Sequence, residues 1–337
     1  MCNLRGECTA RSFTPRRGGV LRHTAHPIRG FRRVKIVVIG HGRAGRQHIS
    51  AIACSPEVKL HSVLETNSAV QIGDLPRADS WEAVLLDPSV DAVSLCVPPG
   101  GRARLAQEAL AAGKGVLLEK PPAMSAAELA DLESWSIAAG RPAAVMLQHR
   151  YALPEPVLAA EWGGNAAGTL LVSRPRSAHH FTGWRGDPGQ ALGGIVAHLG
   201  VHYLDLACQL LGEPASVTVT DRAECRPGID TRCAGVITFA TGATLAFIIT
   251  AEADARAERL SIVGPAGWLD IADGAVRAGL DGCDIDTEPI GGGELRRRVL
   301  DEFAQAVATG TAPDRCGLAR TRGVTWLLER TTPVTTP

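Results

Sequence analysis

Between Val34 and about residue 150, short unbroken apolar runs alternate with longer segments of helical spacing. VKIVVIG (34–40) is apolar at nearly every position, as befits a strand covered on both faces of a parallel sheet. KLHSVLE (59–65), DAVSLCVP (91–98), GVLLEK (115–120) and AAVML (143–147) read as further strands. Helices are predicted from the turn after residue 40 to about Ala53, over 102–112 with a stop at Gly113, and over 125–139 with a stop at Gly140. Repeated units of this kind predict an α/β half with a doubly wound parallel sheet. Beyond residue 150 the rhythm changes. TLLVSRPRS (169–177), SVTVTDRAE (216–224) and RLSIVG (259–264) read as strands, and one helix is expected around 194–211. That predicts an α+β domain on a mostly antiparallel open sheet. Helices return at 294–309 and 318–330, and Leu295, Val299, Phe303 and Val307 give the first of them one apolar face. The expected division is a head (1–33), two domains (34–148 and 149–330) and a tail (331–337).

One stretch tests the membrane question. CAGVITFATGATLAFIITA (233–251) carries no charge over 19 positions, close to the length of a bilayer span. Its β-branched and aromatic residues on either side of Thr241-Gly242 favour strand, turn, strand instead.

Composition narrows the classes without choosing among them. The chain has 337 residues, 45% hydrophobic and 21% charged, as in ordinary soluble proteins, and its net charge is zero. No overall field draws it to nucleic acid or an acidic membrane, and neither is expected as a partner. Nine Cys without a C-x-x-C pair suit a reduced, cytoplasmic protein, and Cys54 and Cys96 are expected to be buried and inert. Residues 1–33 hold eight Arg against one Glu. That head fits a transit peptide, a start codon set too far upstream or a disordered tail.

The turn Gly40-His41-Gly42-Arg43-Ala44-Gly45 is a G-x-G-x-x-G directly between a buried strand and a helix, the context that gives the pattern meaning. Gly40 permits the tight turn, Gly42 lets backbone approach a pyrophosphate, and Gly45 lets helix and strand pack closely. Glu65 ends the next strand 20 residues beyond Gly45, where an acid accepts hydrogen bonds from ribose hydroxyls. This is a Rossmann signature, and the carboxylate favours NAD over NADP. Pro98, Glu119 and Lys120, at later strand ends, complete the expected cofactor site.

A Lys such as Lys120 at the end of a parallel strand can lose solvent, and with it pKa, although a solvated strand-end Lys would look the same. Downstream, GGIVAHLGVHYLD (193–205) places His198 and His202 four apart, on one face if the segment is helical, with Asp205 close to it. The pair could be hydrogen-bonded core histidines or metal ligands, but no third ligand is evident, and no metal is expected.

GHGRAGRQH, LLEKPPAMSAAEL and GWRGDPGQALGGIVAHLGVHYLDLACQLLG, in this order, resemble the Gfo/Idh/MocA oxidoreductase family, which includes glucose–fructose oxidoreductase and inositol dehydrogenase. The resemblance spans about residues 34–330. It implies that Lys120 stands beside the nicotinamide and the reacting hydroxyl, that His202 is the general acid/base, and that position 198 holds a third active-site residue. It places Arg150, in QHRY (148–151), with Trp184, Arg185, His198 and Asp205 on the substrate side. His48 matches the family's G-x-x-H pattern. The chain departs from the family with His198 where Asp is common, Leu192 in place of a Gly, and Arg102 about where a His is usual. The implied activity is NAD(P)-dependent oxidation or reduction of a sugar, sugar derivative or cyclitol; separately, the open face expected of the large antiparallel sheet predicts a homodimer or homotetramer. A cofactor-binding sensor, or a glycosidase using transient oxidation, are the alternatives.

Overall fold

The computed structural model describes residues 32–332; the expectations for the rest of the head and for 333–337 lie outside them. The chain begins with β1 (Val34–Ile39), α1 (Arg43–Ala53), β2 (Val58–Leu64), α2 (Trp81–Leu86), β3 (Ala92–Leu95), α3 (Arg102–Ala111), β4 (Gly115–Leu118), α4 (Ala126–Ala139) and β5 (Ala143–Val145). The five strands are parallel in the order β2-β1-β3-β4-β5. β1, β3 and β4 are buried almost throughout, as their unbroken apolar runs require.

A 3-10 turn (Gln148–Ala152) and α5 (Glu155–Ala159) lead into the second sheet. It comprises β6 (Ala167–Ser173), β7 (Pro214–Arg226), β8 (Ile229–Phe239), β9 (Thr244–Thr250), β10 (Ala257–Gly264), β11 (Gly267–Ala272), β12 (Ala275–Leu280) and β13 (Cys283–Thr287). Its order is β13-β12-β11-β10-β6-β9-β8-β7, antiparallel except where β6 runs parallel to β9. The uncharged stretch 233–251 is the β8–β9 pair, with Thr238 opposite Thr244. β11 to β13, three short strands whose apolar positions are diluted by Gly and Asp, carry no strong sequence signal. Outward-facing Leu171, Val236, Ile248, Val263 and Trp268, on five adjacent strands, are 39–58% exposed.

Between β6 and β7 lie a short helix α6 (Pro188–Ala191), a π-helical turn (Val196–Gly200) and α7 (Val201–Leu211). The single helix expected over 194–211 is thus broken, with the Val201 N–H reaching back five residues to the Val196 carbonyl. This loop is clamped from the side. The Asp230 carboxylate accepts N–H bonds from Gly194 at 2.7 Å and Val196 at 2.9 Å. A Cβ on Gly194 would lie 1.9 Å from the Asp230 carbonyl oxygen, so only Gly fits. Gly194→Ala is therefore expected to cost about 1–3 kcal/mol, and to lower turnover because the loop carries His198. Thermal unfolding and a kcat measurement check both, and wild-type values for both would show that the clamp gives way freely.

The chain closes with α8 (Gly292–Thr309), a 3-10 turn (Leu318–Thr321) and α9 (Arg322–Thr331). Sequence order groups α8 with the second domain, but it packs on the first sheet. Its Leu295, Val299 and Phe303 are buried with Val34, Ile36, Val38 and Ile52. Each such side chain contributes about 1.5–3 kcal/mol of burial.

Candidate active site

Glu119 and Lys120 follow the last residue of β4, so they emerge at the carboxyl edge of the parallel sheet, where ligands of open α/β sheets bind. A cavity of ≈ 470 Å³ opens there. Of the expected site residues, Gly42, Arg43, Ala44, Pro98, Glu119, Lys120, Trp184, Arg185, His198 and His202 line it. Gly40, His41 and Gly45 form the turn behind it, and Glu65 stands at the end of β2.

The Gly-rich turn fits a dinucleotide. α1 begins at Gly42 with no side chain capping its free N–H groups, and a Cβ on Gly42 would meet nothing within 4 Å, which leaves room for phosphate. A Cβ on Gly45 would lie 2.0 Å from the Gly40 oxygen, so Gly45 is required for α1 to pack against the turn. The Glu65 carboxylate accepts the His41 N–H at 2.7 Å and the Asn67 N–H at 2.9 Å, which aims it at the turn. Gly40–Gly45 and Glu65 would hold the adenosine and pyrophosphate end, and Pro98, Glu119 and Lys120 the far end.

Lys120 is held from two directions. Its Nζ donates to the His198 carbonyl on the π-helical turn. Beneath it, Glu119 Oε1 bonds the fully buried His48 Nε2 at 2.9 Å, and His48 Nδ1 meets Ser94 Oγ at 2.7 Å. Burial pushes the Glu119 carboxyl up, but its hydrogen bond to His48 and the charges of His48, Lys120 and Arg102 outweigh that and hold it at about 2. His48 is disfavoured as a cation by burial, yet Cys96 and Glu119 raise it to about 10. Loss of solvent brings the Lys120 amine down to about 8; Glu119 opposes the fall, while Arg102, Arg185 and Arg174 add to it. The Lys120–Pro121 peptide bond is cis. Arg102, 3% exposed at the start of α3, donates to the carbonyls of Val97, Glu119 and Pro121. It ties the segments after β3 and β4 together and takes no visible part in proton transfer.

His198 and His202 both reach the cavity from the broken helix. Burial, then the nearby Lys120 and His180, holds His198 well below its ordinary value; burial, then His149 and Lys120, does the same for His202. Both are neutral at physiological pH. Among the described residues, neither ring nitrogen of His198 nor Nδ1 of His202 has a well-formed hydrogen-bond partner, although the Ala191 backbone approaches the His198 ring and favours its cation. Among the described residues, no three His, Cys, Asp or Glu side chains converge as metal ligands would.

Two expected substrate residues are corrected. Arg150 and Asp205 do not line the cavity; they are 2% and 1% exposed and bind each other. Arg150 Nε donates to Asp205 Oδ2 at 2.7 Å, and Nη2 donates to Asp205 Oδ1 and to the Arg320 carbonyl. Of QHRY, Gln148 and His149 face the cavity, and the His149 ring stacks on His202 with centroids 4.4 Å apart. A 3-10 turn sends the adjacent His149 and Arg150 side chains opposite ways. His180 also goes unannounced in the sequence, its ring 5.9 Å from that of His198, as do Arg174, Arg176, Arg256 and Arg296. The cysteines differ from expectation too: Cys54 is exposed, and Cys96 is half-buried on the cavity wall with Sγ 3.6 Å from Ser94 Oγ.

Comparison with known proteins gives this arrangement its relatives. Residues 34–149 match the model of an oxidoreductase family with an NAD-binding Rossmann fold, and residues 138–270 match the C-terminal domain of the same family. D-xylose 1-dehydrogenase (NADP(+)) 2 of Haloferax volcanii is 30% identical over 295 residues, 82% of this chain and 86% of that protein. D-glucoside 3-dehydrogenase of Escherichia coli is 27% identical over 211 residues, 59% of this chain and 60% of that protein. Levoglucosan dehydrogenase, solved with NADH, shares the fold at a TM-score of 0.76 and 19% identity, covering 89% of this chain and 96% of that one. The chain belongs to the Gfo/Idh/MocA family of oxidoreductases, whose NAD-binding Rossmann domain and C-terminal domain it joins in one polypeptide.

Proposed function

We propose that this protein oxidises a secondary alcohol of a sugar, sugar derivative or cyclitol, or reduces the matching ketone, with Lys120 and His202 handling the hydroxyl proton. The observation that carries this reading is the meeting, in one cavity, of a Lys with a lowered pKa, a neutral His and an uncapped Gly-rich turn. NAD, when bound, supplies the hydride acceptor. His202, uncharged and with Nδ1 unbonded, takes the hydroxyl proton; protonated Lys120 stabilises the developing alkoxide. His198 carries Lys120 on its carbonyl and offers its ring to the substrate. Trp184 and Arg185 face the same substrate. The sugar dehydrogenase names of the relatives support the substrate class. Residues 34–148 serve the cofactor, and 149–330 serve the substrate and subunit contacts.

The test is nicotinamide reduction with NAD and NADP, each against aldoses, amino sugars and cyclitols. Turnover on a member of the panel supports the reading, and tight cofactor binding without turnover on any of them counts against it. Glu65 also sets an expectation for the cofactor itself. Its carboxylate repels a 2′-phosphate, so NAD binds more tightly than NADP. Arg77 donates to the Glu65 carbonyl at 3.2 Å and Arg46 to the His41 carbonyl at 3.0 Å, so two cations stand near that acid. Glu65→Ser is expected to shift the preference roughly tenfold toward NADP, read by calorimetric titration. An unchanged ratio would remove Glu65 from the ribose site.

The five exposed apolar side chains on the outer face of the second sheet support a homodimer or homotetramer closed over that face. Light scattering decides it, and a monomeric mass at working concentration would exclude it.

A further inference from the structure

The cavity holds more positive charge than its acids balance. Eight Arg and Lys side chains line it, against the carboxylates of Glu119, Glu258 and Asp273. Glu119 is bonded to His48 at 2.9 Å. Glu258 takes Arg174 at 2.5 Å and Arg256 at 2.8 Å. Arg176 and Arg185 pair with no carboxylate among the described residues. Among the described residues the Arg176 guanidinium donates to the Pro175 carbonyl alone, at 2.8 Å, and Arg185 lies over the Trp184 ring at 4.5 Å. Both are half-buried, where an uncompensated cation is costly. Beside them, His198 is 5% exposed, and among the described residues its ring has no well-formed hydrogen bond beyond the approach of the Ala191 backbone, while His180 Nε2 has none.

The cofactor does not account for these two arginines. Its pyrophosphate belongs at the start of α1, where Arg43 already stands, and a 2′-phosphate would lie by Glu65, which is not part of the cavity wall. Arg176 and Arg185 come instead from the segment after β6 that also supplies His180 and Trp184. The rings of His180 and Trp184 meet that of His198 at 5.9 Å and 5.5 Å. Burial and the nearby Arg174, Arg43 and Arg256 lower the pKa of Arg176, and burial and Arg43 lower that of Arg185. Glu258 opposes the fall at Arg176 but is itself already bonded by Arg174 and Arg256.

We propose that the substrate of this site is an anionic sugar, whose carboxylate or phosphate is bound by Arg176 and Arg185 beside His198 while its carbinol lies at Lys120 and His202. A planar guanidinium matches either oxyanion with two parallel N–H bonds. This inference rests on the dehydrogenase reading and narrows its substrate.

The test compares glucose, glucuronate and glucose 6-phosphate, and the corresponding galactose set, by nicotinamide reduction. One of the two anions is expected to exceed its neutral parent by roughly 10- to 100-fold in kcat/KM, chiefly through KM. Which anion leads distinguishes carboxylate from phosphate. Arg185→Gln and Arg176→Gln should each bring the anionic-to-neutral ratio down about tenfold, and the double variant should bring it close to one. NADH affinity, measured in parallel, shows that the variants fold. Equal or better use of the neutral sugars, with the ratio unmoved in the variants, overturns the anion site and leaves the dehydrogenase standing. Absence of turnover on every sugar, with no binding of glucuronate or glucose 6-phosphate to the NADH complex by calorimetry, overturns both. Binding of an anion without turnover, lost in the double variant, upholds the anion site while the dehydrogenase reading fails.

Discussion

Lys120→Met is expected to lower kcat/KM by about 10²–10⁴-fold while NAD still binds, because it removes the cation that the developing alkoxide meets. The adenosine and pyrophosphate end of the cofactor would rest on backbone of the Gly40–Gly45 turn and on Glu65, none of which Lys120 supports, so the variant gives up only a contact at the far end. His202 cannot compensate. Its pKa lies well below the ordinary value, so it is a weak base and leaves Lys120 a large share of the barrier. The pH dependence follows from the same two groups. The proposed roles require neutral His202 and protonated Lys120. His202, held well below its ordinary value by burial and by His149 and Lys120, is neutral at physiological pH, and Lys120 loses its proton above about 8. Oxidation measured as kcat/KM should therefore be flat through neutrality and fall above about pH 8. Lys120→Arg should be slower yet lose that alkaline limb, because a guanidinium keeps its charge. A rate that rises through pH 8 would make Lys120 itself the base and reverse the two roles.

Asp205→Ala should destabilise the fold by about 3–5 kcal/mol, because it leaves the Arg150 guanidinium buried without its counter-charge. Arg150 is 2% exposed and sits between the turn that carries His149, the Arg315 and Arg320 carbonyls, and α7. It thus joins three separated stretches of chain under the active site. Replacing both partners by apolar residues, Arg150→Met with Asp205→Leu, should recover part of the loss, since no unpaired charge then remains, although the Arg315 carbonyl loses its donor and the Arg320 carbonyl keeps only Gln209. Chemical denaturation of the single and double variants checks this. A stable Asp205→Ala protein with a raised sugar KM would return Asp205 to the substrate site.

These two residues show where sequence reasoning reaches and where it stops. The Gly40–Gly45 turn, Glu65 and Lys120 are legible because their chemistry is local: strand, turn and helix follow one another in the chain, and strand ends define the ligand edge of a parallel sheet. His149 and Arg150 are neighbours in QHRY, and nothing in their spacing says which one turns inward. The choice is made by a 3-10 turn and by Asp205, 55 positions away. The break in the helix before α7 leaves no mark in the apolar spacing either, because its cause is Asp230 on β8, clamping Gly194 and Val196. The arginines around the cavity are scattered between residues 43 and 296 and gather only once the second sheet has folded. A residue count of zero net charge conceals that local excess.

The measurement that bears most directly on the central claim is the fate of a deuterium placed on the carbinol carbon of a sugar that the enzyme consumes. With NAD present, the label is expected in the reduced nicotinamide, mole for mole with an oxidised sugar, and its transfer is expected to slow by about the same 10²–10⁴-fold with Lys120→Met. Release of an unoxidised sugar with NAD only catalytic, or a bound cofactor that never acquires label, would contradict the account: the first result describes a glycosidase with transient oxidation, and the second a sensor.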